Sequence, residues 1–151
     1  MNTEVNTPVA GVEIDELAEV AEKLHDCPLL FDADGNTIAG FKVVDANSER
    51  FRKAKRDAEV QAVKRSSTRR KSIDAKTDEG ANTLLDLAAR NTKAIVKACV
   101  REWYGFANGG QPVPLTSDSL EKVLTLRPTF VDVAMAKIQE SASFFESSKT
   151  P

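Results

Sequence analysis

The sequence predicts a mainly α protein with a small β-hairpin, an α+β chain whose hairpin lies in the N-terminal third. Three observations carry that prediction. Apolar residues recur at helical spacing from Leu84 to Val100 and again from Val131 to Phe145. Between Leu29 and Val44 the pattern changes to short apolar runs on either side of Asp34-Gly35, the signature of a hairpin. No apolar run approaches the roughly 18 residues needed to cross a bilayer. With 151 residues, 41% hydrophobic and 29% charged, the chain has room for one modest core. A single domain is expected over 12–146, between flexible tails at 1–11 and 147–151.

The first element expected is a short acidic amphipathic helix over 13–26. Ile14, Leu17, Ala18, Ala21 and Leu24 take one face, and Glu13, Asp15, Glu16, Glu19 and Glu22 take the other. Pro28 stops it, which leaves His25 at the helix end, favoured there by the negative pole of the dipole.

The hairpin follows, over 28–45. A calcium loop starting at Asp32 is the competing reading, and it fails. Such a loop needs Gly at its sixth place and Glu at its twelfth, where this chain has Thr37 and Val43. Asp34-Gly35 is instead expected as a two-residue type I′ turn. Gly40 inside the second strand marks a bulge or a close backbone approach.

Asn47 or Ser48 is placed to cap a basic helix over 48–71, with Phe51, Ala54, Ala58 and Ala62 as a thin apolar stripe. The SSTRRKS stretch at its end, weak in helical preference, reads equally as a hinge. A central helix is expected over 81–104. Its broad apolar face comprises Leu84, Leu85, Ala88, Thr92, Ile95, Val96, Cys99, Val100 and Trp103. Gly105, Asn108, Gly109 and Gly110 end it, and Pro112 and Pro114 hold the next stretch extended. Ser117 or Asp118 is expected to cap a helix over 117–126, with Asp118 and Glu121 spaced as a capping box. Past Pro128 a last helix over 129–145 turns Val131, Ala134, Met135, Ile138, Ala142 and Phe145 inward.

Charge is divided unevenly. From Arg50 to Lys71 ten basic residues face only Asp57 and Glu59, whereas the whole chain carries a net charge of −2. The basic set is Arg50, Arg52, Lys53, Lys55, Arg56, Lys64, Arg65, Arg69, Arg70 and Lys71. Such a cluster can neutralise phosphates. Only Phe51 interleaves with it, and no helix-turn-helix, zinc finger or aromatic stacking pattern accompanies it, so nucleic acid is the less favoured partner. A solvated helix, docked on the acidic segment at 13–26, is the favoured reading. Opposite charges on two segments also suit head-to-tail self-association.

No catalytic constellation appears. P-loop, GxGxxG, GxSxG and HExxH patterns are lacking, and the carboxylates are spread over helical faces. Neither an enzymatic activity nor a cofactor is expected. Cys27 and Cys99 lie far apart without CxxC or Cys/His companions, so buried free thiols are expected rather than zinc or a disulfide. The N-terminal MNTEVNTPVAG lacks a basic stretch followed by an apolar one. A cytosolic chain that does not enter a membrane is expected.

The stretch VREWYGFANGGQPVPLTSDSLEKVLTLRPTF, Val100 to Phe130, resembles the C-terminal half of tail assembly chaperones from long-tailed bacteriophages. The resemblance rests on Trp103, the Asn108 to Gly110 turn, Pro112-Val113-Pro114-Leu115-Thr116, the short helix from Leu120 to Leu126, and Pro128. The segment FDADGNTIAGFKVVDANSERFRKAKR is similar to the family's hairpin and basic helix. Tyr104 departs from the pattern, which has a smaller or charged residue after the tryptophan.

The resemblance implies a protein that binds the phage tape measure protein, recruits tail tube protein in the host cytoplasm and is left out of the finished virion. Family members are often made in two lengths by translational frameshifting, which would make this chain the shorter form. Within this reading Trp103, Tyr104, Phe106, Pro112, Pro114 and Leu115 form either the core where the C-terminal helices fold back or the surface that meets the client.

Overall fold

The computed structural model describes residues 11–15, 22–68 and 73–143. Among them are four helices and a three-stranded antiparallel sheet, so the chain is mainly α with a small β component. The strands are β1 (His25–Phe31), β2 (Thr37–Val43) and β3 (Val100–Tyr104), in the order β1-β2-β3. Two further residue pairs, β4 (Ala107–Asn108) and β5 (Gln111–Pro112), make a minute hairpin. The helices are α1 (Glu49–Thr68), α2 (Asp78–Cys99), α3 (Ser117–Leu126) and α4 (Thr129–Ser141).

The sheet begins earlier than the sequence suggests. His25, expected at a helix end, is the first residue of β1, because its Nε2 lies 3.0 Å from Asp45 Oδ2 and clips the strand to the chain leaving β2. Residues 22–24 are not helical either. Leu17, Ala18 and Ala21 of the expected acidic helix lie outside the described residues. Pro28, which has no amide proton, is accommodated because β1 is an edge strand and its register shifts between Pro28 and Leu30.

The Asp34-Gly35 turn is longer than the two residues expected. Phe31 pairs with Thr37 across a loop whose Asp32 carboxylate accepts from the amides of Asp34 and Asn36, each at 2.9 Å. Within the loop only Gly35 takes positive φ (84°), and no non-glycine residue does so among the described residues, which excludes a type I′ turn at Asp34. The Asp32 side chain closes the loop in its place.

The central helix stops at Cys99, five residues before the expected end. Val100 and Trp103 sit at helical spacing from Val96, but the chain turns extended at Val100 (φ −76°, ψ 113°) and its next residues pair with β2. Gly40 faces Tyr104, Phe41 faces Trp103 and Lys42 faces Glu102. The ladder with β2 supplies the backbone partners that another helical turn would have supplied.

One core joins the inner face of the sheet to the last turns of α2 and to α3 and α4. Its fully buried side chains include Phe41, Val43, Val44, Val96, Cys99, Leu124 and Ile138. Cys27 and Cys99 are both buried free thiols, as expected. On α4, Phe130 and Ser141 join the expected Ala134 and Ile138 as buried residues; Phe145 lies outside the described residues. On α3, Leu120 and Leu124 are buried. The cap of α3 is Thr116 rather than Ser117 or Asp118. Its hydroxyl accepts from Ser119 N at 3.1 Å, while Ser119 Oγ accepts from Thr116 N at 2.8 Å.

The remaining helical mass projects from this core. No residue of α1 is buried, and α2 buries only Gly80, Val96 and Cys99. Leu84 and Leu85, expected in the core, are 40% and 68% exposed. They lie in the half of α2 beyond the reach of the sheet and α3. α1 lies along the other half of α2, where Ala54, Ala58, Ala94 and Ala98 line a cleft of about 400 Å³ and Arg65 donates to Asn91 Oδ1 at 3.4 Å.

Candidate functional site

The residues singled out by the 100–130 stretch converge on one corner of the molecule. Trp103 lies on β3 beside Phe41 of the neighbouring strand, their rings stacked with centroids 6.5 Å apart. Phe106 follows the strand end and approaches the indole to 4.7 Å and Phe41 to 5.9 Å. Phe130 meets Phe41 edge-on at 6.4 Å. Four rings thus share one cluster with Phe41 at its centre, an arrangement that adds geometric preference to burial.

The chain reverses tightly to build this corner. Gly105 takes φ +82°, and a Cβ there would stand 1.9 Å from the carbonyl oxygen of Ile38, so backbone conformation and space both demand glycine. The chain then passes through the Gly109-Gly110 turn and returns along itself, with Val113 N donating to Phe106 O at 3.0 Å. The Trp103 indole N–H donates to Val113 O at 2.8 Å, which ties the strand to the proline-containing return. Leu115 packs against the core, whereas Pro112 and Pro114 are exposed. The site therefore divides. Trp103, Phe106 and Leu115 form the rim of the core, and the prolines form its outer skin.

Tyr104 points to the other side of the sheet. Its hydroxyl donates to Asp26 Oδ1 at 2.7 Å, Lys42 Nζ lies 5.7 Å from its ring centroid, and the same Nζ is 3.9 Å from Asp26. The phenol crosses Gly40, where a Cβ would come within 2.5 Å of the tyrosine oxygen. Burial, and then the hydrogen bond to the Asp26 carboxylate, push the Tyr104 pKa up to about 12.

The basic set is not gathered into a pocket. Arg50 is held at 2.5 Å by Glu22, the only link between α1 and the acidic segment seen among the described residues. Arg65 is used on Asn91 and on the carbonyl of Gln61. Arg52, Lys53, Lys55, Arg56 and Lys64 make no side-chain hydrogen bond or ion pair among the described residues. Arg69, Arg70 and Lys71 lie outside them. α1 lies along α2; of the acidic segment expected to cover it, residues 16–21 lie outside the described residues.

Elsewhere the polar chemistry is structural. Lys93 and Lys97 reach Glu121 at 2.5 and 3.2 Å across the α2–α3 junction, and the hydrogen bond from Lys93 leads in lowering the Glu121 pKa. Among the described residues no group of three His, Cys, Asp or Glu side chains is placed to hold a metal ion. No described helix is long and apolar enough to cross a membrane. Burial pushes both cysteine thiols up to about 11, the reverse of an activated nucleophile.

The sequence pattern found Trp103 and Phe106 but not Phe41 and Phe130, the two rings that complete the cluster. Phe41 was legible only as a strand residue, and Phe130 follows a proline where the helical pattern restarts. Compared with known proteins, the chain matches no family model, no curated protein and no solved structure.

Proposed function

We propose that this chain is a tail assembly chaperone of a long-tailed bacteriophage. In this reading it binds the tape measure protein in the host cytoplasm, assists tail tube assembly, catalyses no reaction and is left out of the mature virion. The observation that carries the reading is the Trp103 to Pro128 phrase and its resemblance to that family. The exposed apolar residues of the projecting helices support it. Leu84 and Leu85 on α2 are uncovered, and a client with long apolar helical stripes needs such surfaces laid against it until the tube encloses it. Moderate affinity repeated along the client, rather than one tight site, permits release.

Co-expression with the tape measure protein of the same phage tests the reading. The tape measure protein is expected to be soluble with this chain and insoluble without it; equal insolubility in both cases removes the proposal's support. Mass spectrometry of purified particles supplies a second arm. A chaperone is absent from them, and finding the chain there assigns it instead as a minor structural tail protein.

The unpaired cations of α1 favour one alternative, a nucleic-acid-binding accessory protein. Micromolar binding to duplex DNA or RNA that collapses with added salt is the result that selects it.

A further inference from the structure

We draw no further inference here: the strongest candidate, the apolar groove of about 420 Å³ where Ala89 and Thr92 of α2 meet Leu124, Pro128 and Val131 at the α3–α4 junction, carries nothing because it is an unpartnered face and nothing in the structure shows what covers it.

Discussion

Trp103 is only partly buried, yet it joins three things: the stack on Phe41, the tilted contact with Phe106 and the hydrogen bond to Val113 O. Trp103→Ala is therefore expected to cost roughly 2–4 kcal/mol in chemical denaturation, at or below the range for buried aromatic residues. A variant as stable as the wild type that no longer solubilises the tape measure protein would place the indole in the client surface instead. Pro112→Ala and Pro114→Ala act on exposed residues and are expected to change stability by less than about 0.5 kcal/mol, so any loss of client binding in them reports the surface directly. Tyr104 sets a pH dependence. Its proton is held more tightly in the folded chain, with a pKa of about 12 against an ordinary 10. Its contribution is thus complete below pH 10 and is lost as pH rises through 12. Denaturation midpoints of the wild type are expected to fall over that interval more steeply than those of Tyr104→Phe; parallel curves would show that the Asp26 bond contributes nothing. The aromatic character of this corner was legible in the sequence, because large apolar residues around a glycine turn rarely stay in solvent. The partner of His25 was not. Asp45 lies twenty residues away, and no local pattern announces a bond between the two.

At the level of elements, stability is divided between a packed end and a projecting end. β2 and α4 lie in the core, while α1 buries nothing and the first half of α2 buries only Gly80. Native-state hydrogen exchange is expected to show α1 and residues 78–90 opening at lower free energy than β2 and α4. Uniform protection along the chain would refute this division. Thr77 accepts from Gly80 N at 3.0 Å to start α2, and Thr77→Ala is expected to weaken that helix start by about 1 kcal/mol. The loss should register in exchange of the 78–90 amides more than in global unfolding. Both C-terminal helices were legible, since Pro128 separates two clean apolar periods. The end of α2 was not. Val100 and Trp103 continue the spacing from Val96 so well that a helix and a strand predict the same apolar residues there. The free edge of β2 decided between them, and that edge is visible only once the hairpin is folded. The cap of α3 was misplaced by one or two residues because Ser119 can close a capping box as Glu121 was expected to.

For the molecule as a whole, the fold class was readable from periodicity and the core from its apolar faces, apart from Leu84 and Leu85. Those two looked buried because amphipathicity states only that a face is apolar, not that this chain supplies its cover. The proposed function rests on a sequence phrase and on that uncovered face together. The two cysteines provide a global probe. With thiols pushed up to about 11 by burial, about one in a thousand is ionised at pH 8. Both are expected to resist a thiol reagent in the native state and to react at the rate of global opening; fast labelling of either would show that the core breathes locally. A further consequence follows from the long-range pairing. Ala46 N donates to Ile138 O, and Val44 N to Cys99 O, so the residues that shelter β2 are translated long after it. At roughly 5–20 residues per second, about 5–20 s separate Ala46 from Ile138 on the ribosome. Throughout that interval the hairpin lacks α4, the element that closes over it in the finished fold.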